Sequence, residues 1–363
     1  MGREPERDGS MRVEIVGAGL AGLTAAINLA GEGHEVLVYE KEKKIGGMPS
    51  ARPDPAGGPF GVHRLKEYIG IDISPALSRV ERNFLMIWGR KVEMKPRPGL
   101  PMYMVERGSR KSSLDSFLYG KALDRGVKIE FGQAFETRKD FEDLPPGSII
   151  ATGLEHRAFE TLGIPHNTGY AIVAKGKVDH QVATATIYMH DYTVNYGFTS
   201  TVNGICYAQI FQADKPISSD DLEGFDRDVR RAESYNLSPW KEVDIGALPY
   251  RSYSNPRLFW GDKVLAGTLA GTIDPLYGFG MLGALLSGKI AATAQTDRGA
   301  AMKEFRRLNC LYAPELLGRK LMVSSPSFVR RSLAEMNLAV FDLLPDRVVD
   351  LWYRFVPGYG RMG

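Results

Sequence analysis

The stretch from residue 12 to residue 40 reads RVEIVGAGLAGLTAAINLAGEGHEVLVYE, and it decides the fold of the N-terminal part of the chain. Its first residues are β-formers, and they lead directly into the glycine motif GAGLAG at residues 17–22. A helix-forming run follows, and a second strand-like run at residues 35–39 ends at Glu40. A glycine motif alone is weak evidence, but strand, turn, helix, second strand and acidic residue together predict a nucleotide-binding βαβ unit.

Each glycine of the motif has a mechanical role in this interpretation. Gly17 permits the tight turn out of the strand, Gly19 lets the backbone approach a diphosphate, and Gly22 lets the helix pack closely against the strand. The start of the helix then offers free N–H groups and a partial positive charge to the phosphates. The residues predicted to bind there are Gly17, Ala18, Gly19, Leu20, Ala21 and Gly22.

The acidic residue at the end of the second strand predicts which sugar is bound. Glu40 follows Gly19 by about 20 residues, which is the spacing of a ribose-binding carboxylate. A carboxylate only accepts hydrogen bonds, so Glu40 suits the two hydroxyls of a ribose. It would repel a 2′-phosphate, and NADP is therefore disfavoured.

The residues after Glu40 make the motif more specific. The chain continues as KEKKIGG to Gly47, and residues 13–47 resemble the opening of the glutathione-reductase-type FAD superfamily, including its trailing Gly-Gly. The resemblance implies FAD rather than NAD alone. It also implies that this loop runs beside the diphosphate and ribityl chain, with contacts from Lys41, Gly46, Gly47 and Met48.

Two later segments resemble cofactor-contacting parts of the same superfamily. Residues 148–153, SIIATG, resemble its strand ending in ATG. Residues 263–283, KVLAGTLAGTIDPLYGFGMLG, resemble the strand, loop and helix that place the flavin ring in aromatic hydroxylases and geranylgeranyl reductases. Thr268 takes the place of their usual Asp, so its hydroxyl can hydrogen-bond without a charge. The implied contacts are Ala151, Thr152, Gly153, Thr268, Asp274, Gly278, Gly280, Met281 and Leu282.

The helix predicted from Met281 would point its N-terminus at the flavin, where its free N–H groups would stabilise negative charge. Residues 278–283 form a second GxGxxG, but it neither follows a strand directly nor precedes a strand with an acidic end. A flavin contact is therefore favoured over an NAD site. Near the predicted helix, turn and strand of residues 113–132, the resemblance implies further flavin contacts from Arg110 and Ala134.

The middle of the chain has the pattern of an antiparallel sheet. Residues 184–210 alternate and are rich in β-formers, and Asn203-Gly204 is a hairpin signal. In the resembled proteins such a sheet forms the wall that faces the substrate. Four aromatic residues are candidates for lining an apolar pocket, and Tyr196 and His63 are candidates for catalysis, His63 as a proton donor. The four aromatic residues are Tyr192, Tyr196, Phe198 and Tyr207.

These segments predict an α/β fold, with a Rossmann-type FAD-binding domain, an inserted antiparallel β-sheet substrate domain and a C-terminal helical segment. The C-terminal segment is apolar and aromatic with interleaved Arg and Asp. Packing onto the domain and a peripheral membrane contact are both open for it. The predicted bounds are 11–78, 103–165 and 256–300 for the FAD-binding domain, 79–102 and 166–255 for the substrate domain, and 301–363 for the helical segment.

Composition narrows the function classes. The chain has 363 residues and a formal net charge of +3, without a dense Lys/Arg run, which argues against nucleic acid as a partner. Its two cysteines form neither a disulfide framework nor a redox pair, so a cytoplasmic location is expected. The sequence shows no signal-peptide pattern at residues 1–10 and no metal-ligand cluster.

The favoured hypothesis is an oxidoreductase that transfers hydride between flavin N5 and an apolar organic small-molecule substrate, for which an isoprenoid is a candidate. One alternative is an FAD-dependent monooxygenase or hydroxylase. Another is a flavin-binding regulatory or partner protein without turnover, which the missing Asp at Thr268 slightly favours. The sequence leaves the electron donor and the oligomeric state open.

Overall fold

The computed structural model describes residues 10–46, 52–59, 62–94, 102–213, 215–248, 257–275 and 278–343. The strands are β1 (Arg12–Val16), β2 (Glu35–Glu40), β3 (Arg52–Pro59), β4 (Leu77–Arg79), β5 (Arg82–Ile87), β6 (Arg90–Met94), β7 (Met102–Arg107), β8 (Lys128–Phe131), β9 (Ile149–Ile150), β10 (Asn167–Lys177), β11 (Thr184–Met189), β12 (Tyr196–Val202), β13 (Ile205–Ala213), β14 (Lys241–Leu248), β15 (Phe259–Trp260) and β16 (Lys263–Leu265). The helices are α1 (Leu20–Gly31), α2 (Val62–Ile69), α3 (Leu114–Asp124), α4 (Arg138–Glu142), α5 (His156–Thr161), α6 (Ser219–Glu233), α7 (Met281–Thr293), α8 (Arg298–Ser324) and α9 (Ser327–Leu343).

The first sheet has the order β15-β16-β9-β1-β2-β8. Its strands are parallel from β16 to β8, and β15 is an antiparallel edge. Ile15, Val38 and Ile149 are fully buried in it, as expected for a parallel sheet covered by helices. The predicted α/β fold with a Rossmann-type domain is confirmed.

Helices α1 and α7 pack closely on each other beside this sheet. Gly288 of α7 makes the approach possible, because a Cβ there would lie 2.4 Å from the carbonyl oxygen of Ala21 in α1. Along the chain, α1 follows β1 and α7 follows β16, and both helices begin on the side of the first sheet where these parallel strands end. Two helix N-termini are therefore brought together by the fold.

The second sheet has the order β14-β10-β13-β12-β11-β5-β6. The predicted hairpin at Asn203-Gly204 joins β12 to β13, and both turn residues have positive φ, 53° and 72°. The sheet departs from the prediction in one pair, because β5 and β11 are parallel. They come from separate segments of the chain, and a parallel neighbour requires a crossover rather than a hairpin.

The two faces of the second sheet have different environments. One face packs under α6, with Tyr188, Ile210 and Phe225 fully buried there. The other face carries Tyr196, Phe198 and their neighbours, and it turns towards the first sheet. Successive side chains of a strand point to opposite faces of the sheet, so neighbouring residues of one strand lie in these two different environments.

A third, small sheet has the order β3-β7-β4, and its strands come from residues 52–107. The described part of the C-terminal segment, which ends at residue 343, is helical as predicted, with a break between α8 and α9 at Ser325-Pro326. Ala334 of α9 packs against Leu85 and Ile87, while Phe328 is 71% exposed. No described helix combines the length and the apolar composition needed to cross a membrane.

Candidate functional site

A cavity of about 400 Å³ lies between the N-termini of α1 and α7 and one face of the second sheet. Its lining combines backbone groups on the helix side with aromatic side chains on the sheet side. Most of the residues predicted to hold a cofactor lie around it, although they come from widely separated parts of the chain. These are Gly17, Ala18, Gly19, Leu20, Ala21, Glu40, Lys41, Gly46, Ala134, Ala151, Thr152, Gly153, Thr268, Gly278, Gly280 and Met281.

The turn from β1 into α1 is built from the three motif glycines. Gly17 has a φ of +102°, and a Cβ on it would lie 2.4 Å from the carbonyl oxygen of Ala151. A Cβ on Gly22 would lie 1.9 Å from the carbonyl oxygen of Gly17. A Cβ on Gly19, in contrast, would meet nothing within 4 Å. Two glycines therefore allow close packing, and the third leaves open space above the helix start.

The N-cap residue of α1 is Gly19, which has no side chain to cap the helix. The first N–H groups of a helix have no partner inside the helix, so they face the cavity with a partial positive charge. The N-cap residue of α7 is Gly280, which likewise has no capping side chain. Two such helix starts on one cavity suit a ligand with phosphate or other anionic character.

Glu40 is held in place at the end of β2. One carboxylate oxygen accepts from the backbone N–H of Ala18 at 2.8 Å, and the other accepts from the N–H of Glu42 at 3.0 Å. A carboxylate can accept about four hydrogen bonds, so lone pairs remain for a ligand. The orientation is therefore fixed before any ligand binds.

The end of β9 brings Ala151, Thr152 and Gly153 to the cavity. The Thr152 hydroxyl oxygen is buried, and no described residue forms a hydrogen bond with it. A buried hydroxyl without a partner is costly. A polar ligand in the cavity would satisfy this group.

Four predicted cofactor residues of the described chain, among them Arg110, do not line the cavity. Gly22 packs under Gly17, and Leu282 packs against the main core. Asp274 forms a side-chain hydrogen bond with Glu315 of α8. Burial and the neighbouring Asp274 carboxylate raise the pKa of Glu315 to about 9, which keeps it protonated at neutral pH. Asp274 thus fastens the loop before α7 to α8.

The predicted Arg110 lies outside the cavity lining and pairs with Glu106 at 3.0 Å. Arg107 lines the cavity instead, and its guanidinium makes two hydrogen bonds to Asp115, at 2.8 and 2.9 Å. Sequence reasoning missed Arg107 because its position at the end of β7 depends on a sheet that the motifs do not describe. Predicted contacts from Gly47 and Met48 lie outside the described residues.

The two catalytic candidates have different surroundings. The His63 imidazole is 84% exposed on α2, pairs with Glu67 at 3.2 Å and does not line the cavity. Tyr196 is 4% exposed, lines the cavity and lies 5.9 Å from the Phe279 ring, centroid to centroid. The geometry therefore offers support for Tyr196 only.

The sheet side of the cavity contains three of the four predicted aromatic residues, Tyr196, Phe198 and Tyr207. Tyr192 is in the other cluster, with its ring tilted against that of Phe225 under α6 at 5.9 Å between centroids, so that part of the expectation was wrong. Tyr192 precedes β12, and outside a strand the alternation of side chains does not predict which face of the sheet a residue is on. Gln209 of β13 also lines the cavity and was missed.

Comparisons with known proteins agree with this architecture. Residues 15–68 match the family model described as an NAD(P)-binding Rossmann-like domain. An L-amino-acid oxidase from Notechis scutatus scutatus is 33% identical over 139 residues, which are 34% of this chain and 27% of that protein. The chain thus matches about a quarter of the length of this relative.

Solved structures match over nearly the whole chain. A geranylgeranyl bacteriochlorophyll reductase-like protein from Thermoplasma acidophilum superposes with a TM-score of 0.69 and 15% identity, covering 94% of this chain and 98% of that one. The structure of CtdE in complex with FAD and a substrate superposes with a TM-score of 0.57 and 15% identity, covering 85% and 86%. The chain therefore shares its fold with this reductase-like protein and with an FAD-bound protein, which agrees with the predicted resemblance.

Proposed function

We propose that the chain is an oxidoreductase that holds FAD in this cavity and acts on an apolar organic substrate. The observation that carries the proposal is the convergence of two uncapped helix starts on one cavity whose far wall is aromatic. The superposed structures include one that was solved with FAD bound, which supports the choice of cofactor.

The residues present fit FAD. The open space above Gly19 suits a diphosphate, and the fixed carboxylate of Glu40 suits the ribose of its adenosine half. The unpartnered Thr152 hydroxyl suits a polar group further along the cofactor. The start of α7, with Gly280 and Met281, suits the electron-accepting ring, because its N–H groups favour negative charge.

When bound, FAD supplies hydride transfer between its N5 atom and a substrate carbon. The chain's own residues orient the partners and exclude water. Tyr196, Phe198 and Phe211 on the second sheet give the cavity an apolar wall that suits an isoprenoid or aromatic substrate. Tyr196 is the side chain that we retain as a candidate for contact with the reacting atoms.

The cofactor is tested by purifying the full chain and recording its visible absorption spectrum. We expect a yellow protein that releases FAD on denaturation, identified by mass. The stripped protein should take up FAD more tightly than FMN, because FMN lacks the adenosine half that Glu40 is expected to bind. A colourless protein that takes up no added flavin would contradict the proposal.

The reaction is tested with the FAD-loaded protein reduced by dithionite under argon. Isoprenoid alcohols and cyclic enones are then added, and a reduced product together with the return of the oxidised flavin spectrum supports hydride transfer. In a second assay under air, oxygen uptake matched by a hydroxylated product would make the protein a monooxygenase instead. Flavin that no substrate or oxidant can cycle would indicate a binding protein without turnover.

A further inference from the structure

Gln209 places an amide in the apolar wall of the cavity. It lies on β13, where it pairs across the sheet with Phe198 of β12 and Val173 of β10. Directly opposite residues of antiparallel strands point to the same face, so the amide is surrounded by apolar side chains. Gln209 is 6% exposed and lines the cavity.

The orientation of this amide is fixed by its neighbour on the same strand. The Tyr207 hydroxyl donates to the Gln209 Oε1 atom at 2.8 Å, and Tyr207 itself is 1% exposed. The amide NH₂ is left to face the cavity, and no described residue accepts a hydrogen bond from it. A donor in such a place is costly to leave without an acceptor.

We infer that Gln209 donates to a neutral carbonyl oxygen of the substrate, and that the substrate is an apolar molecule carrying such an oxygen. The inference rests on the proposed function and narrows its substrate class. A carboxylate is not expected at this point, because the described residues of the second sheet that line the cavity include no cation. They are Tyr196, Phe198, Tyr207, Gln209, Phe211 and Val243.

The position of Gln209 favours the substrate over the cofactor as its partner. The helix starts and Glu40, which suit FAD, are on the opposite wall of the cavity. The second sheet approaches that wall through Tyr196, whose ring meets Phe279 just before α7. A ligand that touches Gln209 therefore lies against the sheet.

The test uses a matched pair of probes, 1-tetralone and tetralin, which differ by one carbonyl oxygen. Binding is measured by calorimetry on the FAD-loaded protein and on the flavin-free protein. In the wild type we expect 1-tetralone to bind roughly tenfold more tightly than tetralin, as one buried neutral hydrogen bond predicts. Gln209→Leu should bring the two affinities together, because leucine has no donor for the carbonyl oxygen.

Phe198→Leu is the matched control, since Phe198 pairs with Gln209 across the sheet. It removes aromatic surface from the same wall, so it should weaken both probes and leave their ratio unchanged. Tyr207→Phe frees the amide to rotate and should reduce the ratio partly. In Gln209→Leu the FAD affinity should stay within about threefold of the wild-type value, because Gln209 is not expected to form a hydrogen bond with FAD.

The possible failures are distinguishable. If the protein takes up FAD but Gln209→Leu keeps the tenfold ratio, the inference is overturned and the proposed function stands. A loss of FAD affinity in Gln209→Leu with an unchanged probe ratio would assign the amide to the cofactor and also overturn the inference. The inference is also overturned if neither the FAD-loaded nor the flavin-free protein binds either probe. If the protein binds no FAD but the ratio of the two probe affinities still depends on Gln209, only the proposed function is overturned.

Discussion

The two walls of the cavity present different kinds of chemical groups. The wall formed by α1 and α7 presents backbone N–H groups, and it depends on glycines at points where the chain approaches itself closely. The wall formed by the second sheet presents side chains on a regular ladder. A side chain on a ladder can be exchanged without moving the backbone, whereas a Cβ added at a close approach must move it. The helix wall should therefore tolerate little change, and the sheet wall should carry the specificity.

The largest effect is expected from Gly22→Ala. The new Cβ would lie 1.9 Å from the Gly17 carbonyl oxygen, so α1 must shift away from β1. Overpacking of this kind costs about 1–3 kcal/mol or more, and the shift moves the N–H groups that face the cavity. We expect a lower midpoint of thermal unfolding and a protein purified without FAD.

Gly120→Ala is the control for that variant. Gly120 is in α3, and a Cβ there would meet nothing within 4 Å. Alanine in a helix is favoured over glycine by about 1 kcal/mol, so this variant should be as stable as the wild type or slightly more stable. If both variants retained FAD equally, close packing at Gly22 would not be what positions the helix start.

The next largest effect is expected from Glu40→Gln. The two oxygens of Glu40 accept from the N–H groups of Ala18 and Glu42, and glutamine would turn its NH₂ group towards one of these donors. Hydrogen bonds to a charged group contribute about 1.5–3 kcal/mol, which corresponds to about tenfold to a hundredfold in affinity. FAD titration of the stripped protein measures this loss.

Glu142→Gln provides the comparison for Glu40→Gln. Glu142 lies at the end of α4, is 52% exposed, pairs with Arg138 at 2.7 Å and does not line the cavity. The same chemical change there should leave FAD affinity unaltered. Equal losses in the two variants would show a general charge effect instead of a contact at the end of β2.

The same contrast explains what the sequence could predict. The helix wall was predictable because the spacing of Gly17, Gly19 and Gly22 reflects local backbone geometry. The sheet wall was predictable only in part, since alternation indicates that residues share a face but does not indicate what covers it. Gln209 was missed because its significance depends on the fixed Tyr207 hydroxyl and on a cavity between distant segments. Asp274 was expected at the cofactor, but its partner is Glu315, 41 positions further along the numbering, in a helix whose docking no motif encodes.

A pH-dependent effect is expected where α8 joins the two walls. Glu315 forms a side-chain hydrogen bond with Asp274, which lies in the loop before α7. The next residue, Leu316, packs against the aromatic face of the second sheet. Burial and the Asp274 carboxylate raise the pKa of Glu315 from 4.5 to about 9. Between these values the folded protein binds a proton that the unfolded chain does not, so the contribution of Glu315 to the free energy of unfolding falls as pH rises.

Glu315→Gln removes this titration and keeps a donor for Asp274. We expect the variant to gain stability relative to the wild type progressively from about pH 5 to about pH 9, as measured by thermal unfolding across that range. Glu335→Gln, at an exposed pair with Arg331 on α9, should give a difference that does not grow over the same range. A constant difference for Glu315→Gln would show that its carboxyl is ionised in the folded protein.

The smallest effect is expected at the rim, where Lys41 pairs with Glu155. Their side chains are 51% and 36% exposed, and such pairs contribute about 0–1 kcal/mol. Glu155→Gln releases the Lys41 ammonium beside the predicted diphosphate, so FAD affinity should rise about twofold at low salt and return to the wild-type value at high salt. Glu35→Gln, which breaks a surface pair with Lys128, should show neither change. A marked loss of FAD from Glu155→Gln would contradict the division between the walls, because a rim side chain would then be needed where backbone groups are expected to suffice.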